Sequence, residues 1–356
     1  MTDKIILEYQ KSKKNKLLFI LLVVIALILL IIISLITGPV KLNIKDLYGL
    51  ITGTGDDFVK QIVYNIRMPR VIGAVLTGTA LSVSGAVIQS LLRNPLASPF
   101  TLGISGASAF GAAFAIIVLG AGSSYTDSGD MATINNPYIL TLSAFAWSLL
   151  GVFIILMLSK YKGAGPEIII LAGIIIGSLF GAGISAMQYF ADNVQLASIV
   201  FWTFGDMGRA NWNNIIILTV ILIPVIIYFL FQTWNYKALQ SGDEYAKSMG
   251  VNVSRVRLIG MTVASLATAV AVSFYGIIAF VGLVVPHIVR KIIGGNEQFL
   301  IPASALFGGL FLLASDTLAR TIISPVIMPV GILTSFIGAP LFLFLLIKGM
   351  GKNYWS

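Results

Sequence analysis

The chain has 356 residues, 57% of them hydrophobic and 10% charged, with a mean hydropathy of +0.95. No soluble fold of this length buries so much apolar surface, so the bilayer is the solvent, and a net charge of +9 scattered between apolar runs points to topology-setting charge and not to nucleic acid. The absence of Cys and the single His exclude disulfides, thiolate zinc sites and iron–sulfur clusters.

Lys4, Lys11, Lys13, Lys14 and Lys16 open the chain as a cytoplasmic tail over 1–16. Leu17 to Ile36 follows with one polar member, Ser34, and at about 1.5 Å per residue it matches a hydrocarbon core of about 30 Å. The apolar run is too long for a signal peptide and no A-x-A-like site follows, so this is an uncleaved first span. Further spans are expected at 71–91, 100–120, 138–158, 168–190, 214–232, 256–275, 277–293, 299–318 and 328–347, which makes ten. The seventh and eighth together are short for two crossings, so one of them goes only part way. The polar links are too short for an aqueous domain, and 1–356 reads as a single all-α polytopic membrane domain.

A cytoplasmic start assigns every link. Sixteen of the 23 Lys and Arg then fall inside, among them Lys348 and Lys352 of the C-terminal tail. The seven outer cations are Lys41, Lys45, Lys60, Arg67, Arg70, Arg209 and Arg320. This bias fits the positive-inside rule and places both termini in the cytoplasm. A weak internal repeat runs through the chain. RVIG at Arg70–Gly73 recurs as RLIG at Arg257–Gly260, and Gly85 and Gly276 each precede a proline, Pro95 and Pro286, by ten residues. Gly173-IIIGSLFGA is matched by Gly331-ILTSFIGA. Copies five spans apart have opposite orientations, which is the pattern of inverted repeats with a substrate route at their interface.

No GxxxxGK[ST] phosphate loop occurs, so ATP is not bound in the P-loop manner by this chain. All 14 Asp and Glu lie in links or at span ends, including Asp127, Asp130, Asp206, Glu297 and Asp316. An ion-coupled secondary transporter, the rival class, would place a carboxylate at mid-membrane. One His and no Cys offer little to a membrane-embedded enzyme. These absences together suggest a pore driven by a separate ATPase.

The most specific text is Arg67 to Gly111, RMPRVIGAVLTGTALSVSGAVIQSLLRNPLASPFTLGISGASAFG. Its ordered Arg-x-Pro-Arg entry, small-residue helix, Asn94-Pro95 break and Gly-Ile-Ser-x-Gly segment resemble the FecCD-type permeases of ABC importers for ferric siderophores, haem and cobalamin. The resemblance runs from about Leu17 to Lys348. It implies a type II ABC importer permease without enzymatic activity or cofactor, in the cytoplasmic membrane. It also implies a second permease subunit, an ABC ATPase dimer inside and a substrate-binding protein outside. A siderophore is the expected cargo, with cobalamin or haem as the alternative.

Residues follow from the same resemblance. The polar segment 237–257, KALQSGDEYAKSMGVNVSRVR, occupies the place of the helix that contacts the ATPase. Asp243 and Glu244 suit a helix start and Gly250 a helix end; Glu244, Ala246, Met249 and Gly250 match the family pattern. Arg67 and Arg320 match arginines that take acidic residues on the two lobes of the binding protein, whereas Arg70 could pair internally. Asn94 and Pro95 break a helix and shape a gate or a packing kink. Pro286 and His287 read as structural or ATPase-facing. Trp147, Trp202 and Trp212 are expected in the interfacial belt.

Overall fold

The computed structural model describes residues 2–121, 123–125, 132–134, 136–162 and 165–349; Asp127, Asp130 and Lys352 lie outside them. Fifteen helices follow one another among the described residues. They are α1 (Thr2–Ile36), α2 (Ile44–Thr52), α3 (Asp57–Gln61), α4 (Met68–Leu92), α5 (Ile104–Ile117), α6 (Pro137–Lys162), α7 (Pro166–Phe190) and α8 (Asn193–Thr203). Then come α9 (Trp212–Phe231), α10 (Thr233–Gln240), α11 (Asp243–Ser248), α12 (Val253–Tyr275), α13 (Val281–Ile293), α14 (Glu297–Ala319) and α15 (Val330–Gly349). One antiparallel strand pair, β1 (Ser123–Tyr125) with β2 (Ala132–Ile134), sits in the link between α5 and α6.

Among the described residues seven helical segments are long and apolar enough to cross a membrane: 10–36, 57–92, 137–158, 166–190, 212–231, 253–275 and 297–319. Ile104–Ile117 and Val330–Leu345 are shorter apolar helices. Several expectations need revision. The N-terminal tail is helical and continuous with the first span. The second span is not 71–91 but the inner part of a 36-residue rod over 57–92, in which a π-helical stretch, Ile62–Arg67, joins α3 to α4. The expected span at 100–120 shrinks to 14 residues. Pro95 and Pro99 bracket a non-helical stretch, and a 3₁₀ turn at Phe100–Leu102 precedes Gly103, whose φ of +70° only glycine adopts freely. The eighth element is also short, as its sequence length implied: Gly276 ends α12, and α13 has only 13 residues.

α4 is the axis of the bundle. Twenty of its residues are buried, and it packs against α14, α12, α13 and α9. Its contact with α14 and α13 is backbone to backbone. A Cβ on Gly78 would meet the Gly308 carbonyl, and one on Gly85 would meet the Gly282 carbonyl. In lipid no hydrophobic effect draws helices together, so close approach and dispersion do the work, and small residues permit it. The Gly–Pro spacing of the sequence repeat does not mark equivalent places. Gly85 lies inside α4 and Gly276 closes α12, while Pro95 lies in a loop and Pro286 inside α13. Trp202 is fully buried in α8 and Trp147 stacks edge-on against Phe110 and Phe180, so neither belongs to a belt; Trp212 is exposed and donates to the Tyr64 carbonyl.

Candidate functional site

Four helix ends meet on the side of the chain that carries α10 and α11. Asn252 starts α12 by accepting from the Arg255 amide, and this sets Arg257 one turn further along. Arg257 faces two ways. Its Nη2 donates to both oxygens of Asp243, at 3.0 and 3.1 Å, and its Nε donates to the Leu91 carbonyl at the end of α4, at 3.1 Å. The neighbouring residue of α4, Ser90, donates to Glu297 Oε1 at 2.6 Å. Glu297 is wholly buried and also accepts from Arg290 of α13, at 3.3 Å, and from Gln240 of α10. Thus α10 and α11 are tied by two polar clamps to consecutive residues of one helix end. Burial pushes the Tyr236 hydroxyl of α10 above its ordinary range, with Tyr228 and Glu297 adding to the shift, so it stays a neutral phenol.

The five residues expected to meet an ATPase divide on this frame. Glu244, Met249 and Gly250 are exposed, and Met249 presents 60% of its surface together with Tyr245. Gly250 has φ +80° and open space around its α-carbon. Ala246 is buried against the bundle, and Asp243, engaged by Arg257, keeps 38% of its side chain exposed.

At the other membrane face the expected docking arginines are not exposed. Arg67 and Arg320 are each 4% accessible. The π-helical stretch turns Arg67 towards α1, where it donates to the carbonyls of Leu35, Ile36 and Val40. Arg320 donates to the carbonyls of Ser34 and Thr37 and pairs with Asp316 at 3.1 Å. The reason is the end of α1: its last carbonyls have no intrahelical donors, and cations there also oppose the helix dipole. Arg70 pairs internally, with three contacts to Asp316 at 2.8–3.0 Å and one to Asp206 at 3.4 Å. Asp316 is fully buried between Arg70 and Arg320.

Between these two faces lies a break. Residues 277–280 carry the chain from Gly276 to Phe280, a non-glycine at φ +66°, before α13 begins. A cavity of about 410 Å³ opens beside it, lined by Thr203 at the end of α8 and Phe204 after it, Ile277 and Ala279 of the break, and Ser335 and Phe336 of α15. No ionisable side chain lines it.

The profile of the FecCD transport family matches residues 26–348. This chain belongs to that family. It is 52% identical to an ABC transporter permease protein of Methanocaldococcus jannaschii, over 96% of this chain and 97% of the relative. It is 37% identical to the hemin transport system permease protein HmuU of Yersinia pestis, over 87% and 90%. Relatives with lower identity carry names for vitamin B12, Fe(3+)-citrate and iron(3+)-hydroxamate import. Among solved structures, a metal-chelate type ABC transporter in an inward-facing conformation superposes with a TM-score of 0.81 at 30% identity, covering 92% of this chain and 98% of that one.

In this FecCD chain the remaining sequence marks lie in the turn after α4 and inside α13. Asn94 Oδ1 accepts from the Leu96 amide at 2.8 Å, which closes an Asx turn after α4, and Pro95 continues that turn. Pro286 and His287 are buried within α13, where His287 stacks edge-on against Phe342. Sequence reasoning missed the partners of these helices: Arg257, Gln240, Ser90, Arg290 and Glu297 on one face, Asp206 and Asp316 on the other. The available signal was the placement of a charge at the edge of an apolar run. A lone acid at a span end, such as Glu297 or Asp316, costs several kcal/mol in a membrane unless another helix supplies its counter-charge.

Proposed function

We propose that this FecCD chain is the membrane subunit of an ATP-driven importer whose cargo is a ferric siderophore. The observation that carries the reading is the cleft beside the 277–280 break. Its volume falls in the range of small-molecule sites, about 300–1,000 Å³, and its wall is apolar with two hydroxyls. Such a wall suits a bulky chelate whose iron already has its ligands, and it lacks the acid an ion-coupled carrier needs. Haem and cobalamin are the alternatives, since relatives bear those names.

The architecture is read as ten crossings, α1, α4, α5, α6, α7, α9, α12, α13, α14 and α15, with α5 and α13 half-length. Inverted repeats of α4–α7 and α12–α15 are supported by reciprocal packing, α4 on α14 and α12 on α6. Gly173 of α7 abuts the turn before α5 as Gly331 of α15 abuts the break before α13. α11 is assigned to an ATPase, with Glu244, Tyr245, Met249 and Gly250 as its contact. A binding protein outside would meet the exposed cations Lys41, Lys45 and Lys60 of the segment before α4, not the buried arginines. A second permease subunit would close the cleft. The N- and C-termini are placed in the cytoplasm. The test is ATP-dependent uptake into proteoliposomes holding the complete transporter. Radiolabelled ferric siderophore should accumulate and be outcompeted by neither haemin nor cyanocobalamin. Accumulation of cobalamin or haemin in preference would reassign the cargo, and uptake driven by an ion gradient without ATP would end the reading.

A further inference from the structure

Two cavities open side by side where α1, α10, α13 and α14 meet, and they share one wall residue, Lys16. The first, of about 330 Å³, is lined by Lys16, Lys237, Gln240, Ser241 and the turn Gly294–Asn296 that starts α14. The second, of about 420 Å³, is lined by Lys11, Ser12, Asn15 and Lys16 at its mouth and by Phe19, Ile292 and Ile293 at its floor. Lys16 and Lys237 lie close enough for mutual repulsion. Among the described residues neither forms an ion pair; each ammonium instead lies over a ring, Lys16 at 5.5 Å from Phe299 and Lys237 at 5.6 Å from Trp234. Two like charges held together without an acid leave an unmet demand for an anion. The positive end of the 23-residue α14 dipole adds to it. Of the apolar lining residues, Ile292 is itself about half exposed.

We propose that this pair of cavities binds the phosphate headgroup of an anionic phospholipid, with Lys16 and Lys237 on the phosphate and an acyl chain along Phe19 and Ile292. Basic pockets between membrane helices at the headgroup level hold such lipids, and the combination of a charged mouth with an apolar floor separates a lipid from a free anion or an acidic protein segment. The site needs no ATPase, cargo or transport. Only the choice of leaflet, the inner one, depends on the orientation proposed above.

The test is a titration of the full-length chain in detergent with phosphatidylglycerol or phosphatidylcholine, with bound lipid counted by native mass spectrometry. Phosphatidylglycerol should bind more tightly than phosphatidylcholine. The double variant K16Q/K237Q should lose about 30-fold in phosphatidylglycerol affinity. K13Q/K14Q removes the same charge from exposed positions that line neither cavity and should leave that affinity unchanged. K16R/K237R keeps the charge and should retain binding, which controls for a folding defect in the Gln pair. Equal losses in both Gln variants would mean a diffuse field and no site. Equal binding of the two lipids would overturn the headgroup assignment. Full displacement of phosphatidylglycerol by millimolar inorganic phosphate would reassign the cavities to a free anion, and displacement by the ATPase subunit would reassign them to a protein contact.

Discussion

Asp316→Asn separates an internal role for Arg70 and Arg320 from a docking role. The carboxylate is fully buried and holds Arg70 through Nε at 3.0 Å and Nη2 at 2.8 Å, and Arg320 through Nε at 3.1 Å. Asparagine keeps the shape and one acceptor oxygen but removes the charge, so two guanidinium groups then face a neutral amide. Breaking a buried ion pair by removing one partner costs about 3–5 kcal/mol. Some of this is recovered here. Arg70 keeps Asp206 at 3.4 Å, a partner whose side chain is one-third exposed, and Arg320 keeps the carbonyls of Ser34 and Thr37. The expected loss is therefore about 3 kcal/mol, or roughly 5 °C in the thermal midpoint for a chain of this size. Intrinsic fluorescence of the five tryptophans, followed on heating in detergent, reads it without labelling. Replacing the pair by hydrophobes, Arg70→Met with Asp316→Leu, should regain only part of the loss, because Arg320 then keeps backbone carbonyls but no carboxylate. Arg320→Ala should also lower the midpoint. The reasoning fails if Asp316→Asn and Arg320→Ala both melt within about 0.5 kcal/mol of the parent, the range of surface substitutions.

Gly111→Ala should destabilise by about 1–3 kcal/mol, since its Cβ would lie 2.6 Å from the Ser143 carbonyl and 2.9 Å from Trp147 Cβ, and α5 would part from α6. Gly181→Ala has nothing within 4 Å and should be neutral or slightly stabilising, which makes it the control in the same melting assay. Asp243→Asn should cost little stability, about 1 kcal/mol or less, because its side chain is 38% exposed. In the reconstituted transporter it should nonetheless raise the ATP hydrolysed per chelate imported, since α11 loses its tie to α4. Gly250→Arg should still insert and fold, at a cost of about 1–2 kcal/mol for a side chain at φ +80°, but fail to retain the ATPase in a pull-down, and retention at parental yield would remove α11 from the contact.

The membrane class, the order of the long helices and the short α13 were legible because apolar length is a strong signal, whereas the shortness of α5 was not. The Asn94-Pro95 break was legible from Asn and Pro, and the end of α11 from Gly250. What the sequence concealed is which charges meet. Arg67, Arg70 and Arg320 look alike as basic residues beside apolar runs. Only the fold shows that the first and third end on backbone carbonyls of α1 and the second on Asp316. The π-helical turn that aims Arg67 has no composition of its own. Likewise Ala246 matched an expected contact pattern, yet the face of α11 it occupies is set by Arg257, fourteen residues away from Asp243.

The capping of α1 also sets an order of events during synthesis. α1 leaves the ribosome first, and its outermost carbonyls wait for donors that the chain supplies much later. Arg67 arrives soon after, but the partner of Ser34, Arg320, is 286 residues downstream. At about 5–20 residues per second that interval is roughly 15–60 s. During it the Ser34 and Thr37 carbonyls can be satisfied from outside the helix only by water at the interface, and the helix remains free to tilt or exchange neighbours. The last arginine to be translated therefore locks the first helix, and a chain truncated before α14 would carry an anchor inserted in the membrane but not fixed to its bundle.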